Sequence, residues 1–79
     1  PNPFNPNSKI NYELKITNYV SVNVYDVSGN KIVSLVNKKQ NPGSYSIEFD
    51  GSKLSSGIYF YSLSVNGALI DTKRMILLK

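Results

Sequence analysis

Ile58 to Leu78 reads IYFYSLSVNGALIDTKRMILL, and its middle decides the fold class. Asn66-Gly67 sits between two apolar runs, and both residues tolerate the left-handed geometry of a type I′ turn. A two-residue turn of that type joins antiparallel strands, so this stretch is a β-hairpin. In the first arm, Ile58 to Val65, bulky groups fall on both faces, as in a central strand covered on each side. The second arm, Leu69 to Leu78, starts amphipathic and ends almost wholly apolar.

Upstream the same period of two recurs. Ile10, Tyr12, Leu14 and Ile16 alternate with Asn11, Glu13 and Lys15, and Val20, Val22 and Val24 alternate with Ser21 and Asn23. Ile32 to Val36 is apolar at four of five places, which predicts a strand covered on both sides. Tyr45, Ile47 and Phe49 alternate with Ser46 and Glu48. No segment holds apolar residues at helical spacing for two clean turns.

The punctuation between these runs is specific. Asp26 to Asn30 reads as a hairpin turn in which Gly29 takes a positive φ, and Asn41-Pro42-Gly43 matches a type II turn. Asp50-Gly51 ends the fourth strand. Leu54-Ser55-Ser56-Gly57-Ile58-Tyr59 places an apolar plug before a loop and a Tyr just inside the next strand, the arrangement of a tyrosine corner. Strands at this spacing make an all-β fold, an Ig-like antiparallel β-sandwich of six to seven strands. The domain is expected over residues 9–79. Residues 1–8 form the Pro/Asn-rich end of a linker, because Pro1, Pro3 and Pro6 remove three backbone donors and Phe4 can tuck against the sandwich.

Size and composition narrow the function. Seventy-nine residues make one small domain with a thin core, and the chain has no Cys, His or Trp. Disulfides, zinc centres and imidazole-based acid–base relays are therefore excluded. A calcium site from Asp26, Asp50 and Asp71 lacks Asp-rich loop spacing, so no metal and no cofactor are expected. The sequence reads as a non-catalytic module. Nine Lys and Arg against five Asp and Glu give 9 − 5 = +4, spread along the chain with a single Arg, which favours a solvated surface over a nucleic-acid reader. The longest apolar run, Met75 to Leu78, is far too short for a membrane span. The chain starts at Pro1 without an initiator Met, which reads as a mature product or a domain of a longer protein.

Several stretches then carry a family resemblance. Pro1-Asn2-Pro3-Phe4-Asn5-Pro6 resembles the opening motif of the type A C-terminal sorting domain of the type IX (Por) secretion system. Val24 to Ile32 is similar to that family's hairpin, followed in order by Gly43, by Leu54 to Leu63 with Gly57 and Tyr59, and by the basic-then-apolar end Lys73 to Lys79. The hairpin departs from the family pattern at Ser28 and Asn30, where a Leu and an Arg are common. The sandwich also resembles the Ig-like domain of the flagellar hook-capping protein. The resemblance implies a domain that directs an exported cargo, N-terminal to Pro1, through the periplasm to the cell surface or medium. It implies a secretion-system receptor at the outer membrane as partner.

Recognition is expected on Lys73, Arg74, Met75, Ile76, Leu77, Leu78 and Lys79, with apolar residues as anchors and Lys79 and the terminal carboxylate fixing register. In the competing reading Ile76 and Leu78 are core and the lysines keep an edge strand soluble. Two other functions fit the same composition. One is a structural spacer or extracellular fibre subunit that self-associates through edge strands. The other is a carbohydrate-binding module that uses Tyr25, Tyr59 or Tyr61.

Overall fold

The computed structural model describes residues 7–78. Six antiparallel strands follow in chain order: β1 (Asn7–Leu14), β2 (Asn18–Asp26), β3 (Lys31–Gln40), β4 (Gly43–Asp50), β5 (Gly57–Val65) and β6 (Ala68–Leu77). They form a two-stranded sheet, β1-β4, and a four-stranded sheet ordered β3-β2-β5-β6. The molecule is a slab measuring 38 × 30 × 16 Å, and the thin dimension fits two sheets stacked about 10 Å apart with their side chains. This is the expected Ig-like β-sandwich.

The period of two assigns the faces. Val20, Val22 and Val24 are wholly buried, and their cross-strand partners Val65, Leu63 and Tyr61 share that inward face. Ile10, Tyr12 and Leu14 of β1, and Tyr45, Ile47 and Phe49 of β4, close the core from the other sheet. The interior divides into two packed groups, one around Ile10, Leu14, Val20, Val22 and Val36, the other around Val24, Phe49, Tyr59, Met75 and Leu77. Leu35 and Tyr61 touch both groups and join them into one core.

Turns within a sheet follow the sequence closely. Asn66 and Gly67 take φ of 53° and 80°, the two left-handed residues that a type I′ hairpin needs. Gly29 takes φ of 86°, and its N–H donates to the Asp26 carbonyl at 3.1 Å. The Tyr59 hydroxyl donates to the Ser55 carbonyl at 2.8 Å, completing the tyrosine corner, and Leu54 packs on the second core group. Gly57 opens β5 opposite Leu77, and β5 is the central strand its composition suggested. Pro1, Pro3, Phe4, Pro6 and Lys79 lie outside the described residues.

Three local expectations are corrected. Ile16 does not continue the first strand; β1 ends at Leu14, and Ile16 is 65% exposed where the chain crosses to the other sheet. Gly43 is not the corner of a type II turn. It has φ of 154° and pairs with Leu14 as the first residue of β4, because Asn41-Pro42 carries the chain between sheets instead of reversing it within one.

The third correction concerns β3, which is an edge strand and not a covered one. Register shifts opposite Val22/Asn23 and Val24/Tyr25 insert extra residues at Leu35 and Ile32. Each bulge breaks the alternation, so consecutive apolar residues occur with only one face buried; Ile32 and Val33 remain exposed.

The face assignment of β6 is directly testable. Leu77 is 1% exposed and Ile76 is 57% exposed. Leu77→Ala should lower unfolding free energy by about 2–5 kcal/mol. Ile76→Ala should cost under about 1 kcal/mol. Urea denaturation of the two variants measures both.

Candidate functional site

The last strand, β6, occupies an edge of the four-stranded sheet, with β5 on one side and, among the described residues, no strand paired on the other. Its ladder with β5 is regular from Gly57↔Leu77 to Leu63↔Asp71, and a register shift follows between Leu63 and Ser64. Alternation therefore splits the expected recognition residues. Met75 and Leu77 point into the core group that holds Val24, Phe49 and Tyr59. Arg74, Ile76 and Leu78 are exposed, and Arg74 and Ile76 lie opposite Phe60 and Ile58 on the outward face. Lys73 is exposed opposite Tyr61, on the inward face where the smaller sheet does not reach. The competing reading, which put Ile76 and Leu78 in the core, is corrected, because strand alternation turns the other two apolar residues inward. Core duty falls to Met75 and Leu77, and Ile76 and Leu78 are free.

The outward face also carries residues that motif reading passed over. A row runs across all four strands, Lys31–Tyr25–Phe60–Arg74, with a cation at each end and two half-buried rings between. Below it lies the Ile58–Ile76 pair. The signal was present in β5, where Ile58 and Phe60 have the parity opposite to the inward-facing Tyr59 and Tyr61. On the other side the next row is short and polar, Ser34–Asn23–Ser62–Thr72, and the one after it, Asn37–Ser21–Ser64–Leu69, ends on an exposed leucine.

Three tyrosines proposed for sugar stacking separate. Tyr59 is buried with its hydroxyl bonded, Tyr61 bridges the two core groups, and only Tyr25 faces outward. A shallow cleft of about 500 Å³ lies instead at the smaller sheet, lined by Asn11, Tyr12, Glu13, Ser44, Tyr45 and Ser46. Its two rings stack on each other, centroids 5.3 Å apart and planes 16° from parallel. Their hydroxyls donate to the Gln40 side chain and the Asn41 carbonyl, fastening the crossing between sheets. Burial raises the Tyr12 pKa, the Gln40 bond opposes that shift, and Tyr45 adds to it. These rings act as structure.

Asp26, Asp50 and Asp71, the carboxylates weighed above as calcium ligands, serve separate elements. Among the described residues there is no group of three or more acidic side chains placed to hold a metal. Asp26 accepts from the Ser28 and Asn30 backbone N–H groups at 2.9 Å each, and Asp50 accepts from Ser52 N–H at 2.9 Å. The Asp26 pKa falls, chiefly through the Asn30 backbone bond, with further lowering from the Asn30 side chain and the Ser28 and Gly29 N–H groups; desolvation opposes it.

Residues 1–78 match a known family, described as the secretion system C-terminal sorting domain. The chain belongs to this family. The match takes in the Pro-rich opening, the Asp26–Asn30 hairpin, the tyrosine corner and the terminal strand together, the same ordered set that carried the resemblance. The sorting domain serves type IX secretion, exporting its cargo by way of the periplasm to the cell surface or extracellular space. A cargo N-terminal to the sorting domain and an interaction with the secretion system follow from that role. No curated protein and no solved structure matches the chain.

Two substitutions test the supports of this site. Tyr59→Phe removes the corner hydrogen bond and should lower stability by about 1 kcal/mol in thermal unfolding, with the fold retained. Asp26→Ala should lower the melting temperature at neutral pH. Because the folded pKa lies below the ordinary 3.8, that deficit is fully present above 3.8 and disappears as pH falls through the lowered value. Melting curves across an acid series read the effect.

Proposed function

We propose that the sorting domain is read at its terminal strand, over Lys73–Lys79, without any catalysis by this chain. One observation carries the reading: β6 is an edge strand whose inward residues fasten it and whose outward residues stay exposed. Met75 and Leu77 hold the strand in register against the core. Arg74, Ile76 and Leu78 offer a cation and two apolar side chains, and the outer edge of β6, where no strand pairs among the described residues, offers backbone donors and acceptors. A receptor strand added to that edge would gain affinity from main-chain bonds and specificity from alternate side chains. The receptor belongs to the secretion system and meets the domain at the outer membrane, with the cargo on the N-terminal side.

A fibre subunit or spacer would use the same sheet edges. The four-stranded sheet opposes that use at β3, where two bulges and Lys31, Lys38 and Lys39 interrupt a flat edge. At β6 the exposed, inward-parity Asp71 and Lys73 do the same for uncontrolled pairing.

Deleting the last five residues would also remove Met75 and Leu77, so lost export could reflect unfolding alone. Outward substitutions are cleaner. In a type IX-competent bacterium carrying a reporter ahead of this domain, the triple variant Arg74→Gln, Ile76→Thr, Leu78→Ser should strongly reduce surface delivery. The purified variant should keep a melting temperature within about 5 °C of the parent. Normal delivery by a folded triple variant would refute terminal-strand reading.

A further inference from the structure

Among the described residues, five of the ten large hydrophobic residues that stay exposed lie at one end of the four-stranded sheet. Ile58 (41%), Ile76 (57%) and Leu78 (52%) are at the start of β5 and the end of β6, and Val27 and Ile32 flank the adjoining β2–β3 turn. A cluster of this kind on a small domain calls for an apolar environment that covers it. The charges around it indicate which one. Lys31 and Arg74 share the outward face at this end by register, opposite Tyr25 and Phe60, and Lys39, opposite Tyr19, lies on the same face at the far end. No carboxylate shares that face among the described residues: Asp71 pairs with Leu63 and Asp26 with Tyr59 on inward positions, and Glu13 and Glu48 lie on the other sheet. Asp26 and Asp50, the acids nearest that end, are bonded to the N–H groups of their own turns.

We propose that this end of the outward face is a peripheral docking surface for an anionic lipid bilayer. The spacing fits an interface. The Lys31–Tyr25–Phe60–Arg74 row stands two residues from the Ile58–Ile76 pair, about 7 Å at about 3.3 Å per residue. Apolar faces of interfacial elements sink about 5–10 Å into the headgroup boundary. With Ile58, Ile76 and Leu78 at that depth, the two cations stand level with the lipid phosphates and the two rings lie at the interface, where aromatic side chains concentrate. The adjoining row, Ser34–Asn23–Ser62–Thr72, carries only Ser, Asn and Thr, and the larger Tyr19, Lys39 and Leu69 stand at the far end of the face, away from the proposed contact. A second copy of the chain is the poorer occupant, because two such faces would oppose lysines and arginines with no acid between them.

Flotation of the 79-residue chain with phosphatidylglycerol/phosphatidylcholine vesicles tests this, with pure phosphatidylcholine vesicles in parallel. Binding should require the anionic lipid and weaken as salt rises. The double variant Ile58→Thr, Ile76→Thr should lose about tenfold or more in partition. Lys31→Gln with Arg74→Gln should lose roughly 25-fold, at about fivefold per cation. Lys9→Gln with Lys15→Gln removes the same charge elsewhere and should change partition less than about twofold. Circular dichroism and melting of each variant confirm the fold.

Absence of anionic-vesicle binding would overturn the proposal, leaving an acidic protein as the occupant. Equal losses in the two charge variants would overturn it as a net-charge effect. An isoleucine variant that floats like the parent would also overturn it, as would a concentration-dependent dimer that this variant abolishes. The inference stands apart from terminal-strand reading. Lys31 and Ile58 lie outside Lys73–Lys79, and vesicles contain no secretion machinery, so either idea can fail alone.

Discussion

The structure depends on burying the inward face of one strand, β2, against the smaller sheet. Val20, Val22 and Val24 are the only residues of β2 that must be dry, and all three are fully removed from water. With no disulfide and no metal staple available, apolar burial has to offset the conformational entropy of a chain this short. The backbone of β2 adds the second half of the constraint. It pairs with β3 on one side and β5 on the other, and β5 in turn carries β6. The terminal strand is therefore two ladders away from the strand that anchors the fold. What fixes it is its own contribution to the interior, Met75 and Leu77 against Val24, Phe49 and Tyr59.

That position couples stability to readability through simple alternation. A strand at a sheet edge can bury every second side chain and still display the others, because successive side chains point to opposite faces. In β6 the buried positions are large and apolar, so they hold the strand without help from the displayed ones. Arg74, Ile76 and Leu78 are thereby released from any structural duty beyond solubility. Two of those three are nevertheless apolar, an arrangement that a purely structural edge would avoid.

Much of this was legible in the sequence, and the parts that were not share a cause. Local chemistry was readable: Asn66-Gly67 specified its turn because few residues tolerate two consecutive left-handed positions, and Tyr59 declared its corner through the Leu54 plug and the intervening loop. Strand faces were readable where alternation was unbroken, as in β2. The sequence failed where a residue's meaning depends on which sheet the chain enters next. Asn41-Pro42-Gly43 has the composition of a reversal within a sheet, yet it carries the chain across the sandwich, and Gly43 becomes a strand residue. Ile16 continues the alternation of β1 in letters alone, since the crossing has already begun. In β3 an apolar run suggested two covered faces, whereas two bulges account for it at an edge. Likewise the split of Lys73–Lys79 into buried and displayed residues needs the register with β5, which no single strand's sequence contains.

The two edges of the four-stranded sheet differ in a way that bears on recognition. β3 meets β2 with two register shifts inside ten residues, so its outer edge is bent and its donors and acceptors are unevenly spaced. β6 keeps seven consecutive regular pairs with β5, from Leu77 back to Asp71. An incoming strand needs evenly spaced partners to form a ladder, and within this sheet β6 supplies them and β3 does not. Asp71 and Lys73 stand at the far end of that regular stretch, on inward positions without cover from the smaller sheet. A partner can approach the edge from the Leu77 end, but an unselected strand lying along the whole of β6 would have to desolvate two charges. The geometry thus permits addition at the terminus while resisting the indiscriminate pairing that makes exposed edges hazardous.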